Sequence, residues 1–115
     1  MTSVFDMDRA LERVDGDQEL LDDLARIYLN ESSELSIAIS QAMQQNDIIA
    51  ATKVAHTLKG ASSNFCAQAI FDAAWHFEQL QPSNSPEEIG LAYGTLLQEL
   101  ERLSQAIRQE FGIRQ

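Results

Sequence analysis

Both prolines of the 115-residue chain fall in one short segment, Gln81-Pro82-Ser83-Asn84-Ser85-Pro86. A proline inside a helix removes a backbone hydrogen bond and clashes with the preceding turn, at a cost of ~3 kcal/mol or more. The rest of the chain therefore lacks the strongest helix breaker, and its apolar residues recur at three- and four-residue spacing. No alternation of period two runs long enough to make a strand. The expected fold class is all-α.

The spacing predicts a short first helix over Asp6 to Val14, with Asp6 as its cap. Asp15-Gly16-Asp17 ends it, and Asp17 suits the cap of the next helix. A long helix follows from Gln18 to about Gln45. Leu20, Leu24, Ile27, Leu35, Ala38 and Ala42 form its apolar stripe, widened by Leu21, Tyr28 and Ile39. Asn46-Asp47 makes the next turn and cap. The third long element runs from about Ile48 to Ser63, with Ala51, Val54, Ala55 and Leu58 toward the core. A fourth helix, about Ala67 to Gln79, would bury Ile70, Phe71, Ala74, Phe77 and Leu80. After the proline segment a fifth runs from about Pro86 to Phe111 on a stripe from Ile89 through Tyr93, Leu96, Leu97, Leu100, Leu103 and Ile107 to Phe111. Short connections force antiparallel neighbours. The expected architecture is an antiparallel, up-down-up-down four-helix bundle with a short N-terminal helix over one end, one domain spanning residues 1–115.

Several functions are disfavoured. With 18 acidic and 8 basic residues the net charge is −10, which opposes binding to nucleic acid and to anionic membranes. No apolar run approaches the ~20 residues of a membrane span. The start, Met1-Thr2-Ser3-Val4-Phe5-Asp6, lacks the basic and apolar regions of a signal peptide. Cys66 is the only cysteine, so no intrachain disulfide can form, which fits a cytoplasmic location. One cysteine and two histidines make a structural zinc site improbable. The five glycines form neither a phosphate loop nor a dinucleotide fingerprint. No hydrolase motif is present.

What remains is Ala55-His56-Thr57-Leu58-Lys59-Gly60-Ala61-Ser62-Ser63. On a helix, His56, Lys59 and Gly60 share one face. A glycine inside a helix costs ~1 kcal/mol relative to alanine, so it needs a reason. Close approach of another molecule to the histidine is one; room for a neighbouring helix is the other. Histidine titrates near ~6.5 in general, so an exposed imidazole is mostly a neutral nucleophile at pH 7. Phosphoryl transfer asks for such a nucleophile, a nearby cation and space for in-line attack. His56, Lys59 and Gly60 would supply these in turn. Thr52 and Ser63 fall on the same side of the helix as candidate binding residues.

The stretch Ala55 to Phe65 closely resembles the core motif of histidine phosphotransfer (HPt) domains of bacterial two-component phosphorelays: His-x-x-Lys-Gly, small residues, then an apolar residue. Gly16-Asp17-Gln18-Glu19-Leu20 resembles the segment that opens that family's first long helix, and Phe77-Glu78 falls where the family often has Leu-Glu. The resemblance implies that His56 is the phosphorylated residue, taking a phosphoryl group from a receiver-domain aspartate and passing it to another receiver. It implies Lys59 as the phosphoryl-stabilising cation, Gly60 as the position kept small, and Glu78 as a polar residue near the histidine. It further implies a phosphotransfer intermediate without a kinase domain, no cofactor, no bound metal, and response-regulator receivers and a hybrid sensor histidine kinase as partners. A monomer is expected. The alternatives are a substrate domain excised from a hybrid or chemotaxis-type sensor kinase, and a non-catalytic helical scaffold. Cys66 stands where the family usually has glycine; if that turn needs a positive φ, the cysteine is strained. His76 is read as an ordinary surface or boundary histidine, Trp75 as a half-buried bundle aromatic.

Overall fold

A computed structural model describes residues 4–113. The expectation about Met1-Thr2-Ser3 lies outside the described residues. Among those described, every regular element is helical: α1 (Met7–Arg13), α2 (Gln18–Gln44), α3 (Ile48–Ser62), a 3-10 turn (Ser63–Phe65), α4 (Gln68–Glu78) and α5 (Pro86–Phe111).

Caps read from the sequence set most boundaries. Asp6, Asp17 and Asp47 each accept a backbone N–H of the first turn of α1, α2 and α3. Ser85 and Glu88 form a reciprocal capping box at α5, with Pro86 in its first turn. Gly16 and Asn46 take the left-handed conformations that close the preceding helices. The histidine helix ends one residue earlier than expected, because Ser63–Phe65 tightens into the 3-10 turn.

The long helices form a bundle in which α2 packs on α3, α3 on α4, α4 on α5, and α5 returns to α2. The α1 helix packs on the 3-10 turn and on α2, and the Asp6 N–H donates to the Phe65 carbonyl. At this end Phe65 packs against the rings of Phe5, Tyr28 and Phe111. Phe65, Phe77, Leu21, Ile39, Leu58, Ile70, Leu96, Leu103 and Ile107 are fully buried. Burial of each such side chain contributes ~1.5–3 kcal/mol.

The core stripe of α2 differs from the sequence expectation. Leu21, Ala25, Tyr28, Ser32, Ile39 and Ala42 are buried, while Leu20 and Ile27 are exposed. Two helical stripes about 100° apart overlap in this sequence, and packing selects the one that carries Tyr28, whose hydroxyl reaches Ser62 of α3 at 3.0 Å. Val54 and Leu80 are only partly buried, at the margin of the core, and Phe71 is likewise only partly buried. Cys66 does adopt the left-handed conformation, at φ 52°, and its N–H donates to the Ser63 carbonyl. Trp75 is half exposed, at 50%.

Candidate functional site

The register of α3 decides where its polar residues point. Ile48, Ala51, Ala55, Leu58 and Ser62 are buried, which turns the residue after Ala55 outward. His56 is accordingly exposed, with 69% of its side chain open to solvent. Lys59, one turn on, lies along the α3–α4 contact and is only 19% exposed. Its ammonium sits 5.7 Å from the centre of the Phe71 ring, a cation–π contact.

Glu78, the last residue of α4, joins the two. Its Oε1 is 2.5 Å from His56 Nδ1, and its Oε2 is 2.7 Å from Lys59 Nζ. The Lys59 ammonium and Oε2 form an ion pair largely shielded from solvent, with the two side chains 19% and 15% exposed. Desolvation, the largest single influence, pushes the Glu78 carboxyl up. The hydrogen bonds and charges of Lys59 and His56 together outweigh it and hold the group below the usual carboxylate range. Glu78 is therefore ionised at neutral pH, and an ionised carboxylate only accepts. The hydrogen bond then requires the proton on Nδ1. In the neutral tautomer with its proton on Nδ1, the lone pair belongs to the other ring nitrogen, Nε2.

Gly60 has ordinary helical geometry and is exposed, and a Cβ built on it meets no atom within 4 Å. Nothing inside the chain calls for a glycine there. Thr52 and Ser63 are not drawn into the cluster. The Thr52 hydroxyl donates to the Ile49 carbonyl at 2.8 Å, and that of Ser63 to the Gly60 carbonyl at 2.6 Å. His56, Lys59 and Glu78 thus come together, Gly60 lies beside them, and Thr52 and Ser63 bond to their own helix. Glu78 is 22 residues from His56, so no local spacing connects them.

His56 stands on the surface of the bundle. Two grooves, of about 990 and 640 Å³, are lined by other residues. Among the described residues no group of three or more His, Cys, Asp or Glu is placed to hold a metal ion. Nor is any described helix long and apolar enough to cross a membrane.

The family model described as Hpt domain matches residues 23–109, which includes all of α3 and α4 and most of α2 and α5. No curated protein and no solved structure matches the chain. The matched segment carries the whole His56–Lys59–Glu78 cluster and covers most of the chain; the protein belongs to the Hpt domain family, the phosphotransfer modules of two-component signalling.

Proposed function

We propose that this chain is a phosphorelay intermediate in which His56 accepts a phosphoryl group from a receiver-domain aspartate and passes it to a second receiver. The observation that carries the reading is the 2.5 Å contact between Glu78 and His56 Nδ1. With Nδ1 protonated, the Nε2 lone pair attacks phosphorus. The N–P bond forms as the P–O bond of the aspartyl phosphate breaks, and the electron pair leaves with the aspartate. The ring becomes cationic in that step, and Glu78 lies against the proton that carries the new charge. This is the electrostatic logic of an orienting carboxylate behind a histidine. Lys59 neutralises Glu78 in the resting site and is within one turn of His56 to meet a phosphoryl oxygen. Gly60 leaves open ground beside the nucleophile. An exposed imidazole outside both of the grooves suits a protein-borne phosphoryl donor better than a small molecule, which needs a concave site.

The finer architecture follows the same reading. The long helices run antiparallel in up-down-up-down order, because short connections join helices that pack on each other. The chain acts as a single, monomeric domain in the cytoplasm, supplied through a hybrid sensor kinase.

The test is incubation with phosphorylated receivers and a search for acid-labile, alkali-stable label. Wild type takes up label and His56→Gln takes up none. Labelling of His56→Gln would place the site elsewhere, and a wild type that accepts phosphate from no receiver of its source would favour a scaffold.

A further inference from the structure

The charge of α3 is unlike that of the rest of the chain. The net charge is −10, yet α3, Ile48–Ser62, contains no acidic residue. It also carries both lysines of the chain, Lys53 and Lys59. They stand three residues before and three residues after His56, so each lies one turn away on the helix surface.

The two lysines are differently engaged. Lys59 is mostly buried, holds Glu78 at 2.7 Å and rests over Phe71. To move fully onto a phosphoryl group it must leave a carboxylate that is itself shielded from solvent. Lys53 is exposed and makes no ion pair among the described residues. Its backbone carbonyl accepts from the Thr57 hydroxyl, and its ammonium makes no hydrogen bond among the described residues. A phosphoryl group brings about two negative charges to Nε2. Of the two cations flanking His56, the one not already neutralised is Lys53. A lysine ammonium on a four-carbon stem, with three donors, can follow a charge that moves from donor to acceptor.

Resting on the reading of His56 as the phosphoryl acceptor, we infer that Lys53 is a second phosphoryl-binding cation, which meets the transferring group from the N-terminal side of His56. It acts beside Lys59: Lys59 holds Glu78 in place against the ring, and Lys53 draws in the incoming dianion. The ligand chemistry is the phosphoryl group itself, on a small donor or on a receiver aspartate. With phosphoramidate as donor, the Nε2–P bond forms, the P–N bond breaks, and the nitrogen leaves as ammonia after taking up a proton from water.

The experiment compares wild type, Lys53→Gln, Lys53→Arg and, as a control for net charge, Arg26→Gln, an exposed residue of α2. Labelling rates are measured with phosphoramidate and with a phosphorylated receiver that labels wild type. Lys53→Gln should slow labelling by about 5-fold at low salt with both donors. Lys53→Arg should restore most of the rate, and Arg26→Gln should match wild type. The deficit should shrink in about 0.5 M salt, where screening shortens the reach of exposed charges. Rates for Lys53→Gln equal to wild type with both donors overturn the inference. A deficit with the receiver alone also overturns it, because Lys53 would then touch the donor protein and not the phosphoryl group. A loss shared equally by Arg26→Gln does the same, as a net-charge effect. Failure of the underlying reading looks different: wild type itself takes up no label, or His56→Gln takes it up.

Discussion

The chain has two histidines, and both are exposed on helices of the same bundle. His56 has Lys59 and Gly60 one turn on, where His76 has Gln79 and Leu80. Glu78 of a neighbouring helix holds His56 at Nδ1, while His76, two residues from that same Glu78, makes no side-chain hydrogen bond or ion pair among the described residues. Two residues along a helix is about 200° around it, so the carboxylate and His76 face opposite ways. His76 lines the 640 Å³ groove between α4 and α5 with Asp72, Glu88 and Leu91. What separates the two rings is what a second helix presents to them: a carboxylate at His56 Nδ1 and none at His76.

The comparison is most exposed to exchange of the histidines themselves. His56→Gln should abolish label, a loss of more than ~100-fold, whereas His76→Gln should remain within ~2-fold of wild type. Equal losses in a phosphotransfer assay would erase the distinction. Removing the carboxylate comes next. Glu78→Gln should slow labelling of His56 by about 10- to 100-fold, the range set by an orienting proton-holding group. The same variant has a pH signature. The Glu78 carboxyl is held below its ordinary value of 4.5 in the folded chain. Its contribution to stability is therefore present above pH 4.5 and is lost as the pH falls through the folded value. Acid unfolding followed by circular dichroism should find wild type losing its advantage over Glu78→Gln in that window; an advantage that persists to lower pH would contradict the ion pair.

Gly60→Ala sharpens the comparison by splitting stability from transfer. The added Cβ meets no atom of the chain, so denaturant unfolding should show a gain of about 0.5–1 kcal/mol. Transfer from a receiver should slow several-fold, while labelling by phosphoramidate is unchanged, because the space serves the partner. The smallest effect on transfer is expected at Tyr28→Phe. Tyr28 and Ser62 form a buried hydrogen bond behind the histidine helix. Its loss should cost about 1 kcal/mol and leave phosphotransfer intact. Burial raises the Tyr28 hydroxyl to about 12, against a smaller opposing pull from Ser62. The tyrosine's contribution is present below the unfolded value of 10.0 and fades as the pH rises toward the folded one. Wild type, and not Tyr28→Phe, should lose stability in that alkaline window.

The caps at Asp6, Asp17 and Asp47, the break at the proline segment and the exposed placement of His56 were legible because each depends on neighbours within one turn; the Ser85 capping box came from the structure. The buried face of α2 was less so. Leu20 and Ile27 repeat as regularly as Leu21 and Tyr28, and only the packing of α2 against its neighbours selects between them. Lys53 has its own signal in the sequence: both lysines of an acidic chain flank one histidine.

By itself the sequence determined the helices, most of their ends, and the grouping of His56, Lys59 and Gly60 on one helix face, since all of these follow from periodicities shorter than two turns. Tertiary structure decided that Glu78 closes on His56 and Lys59 across 22 positions of chain. It also decided that Lys59 spends its charge on Glu78 while Lys53 makes no ion pair among the described residues. The physical reason is that a helix specifies which face a side chain occupies, but the charge opposite that face comes from another helix. Its register is set by the core.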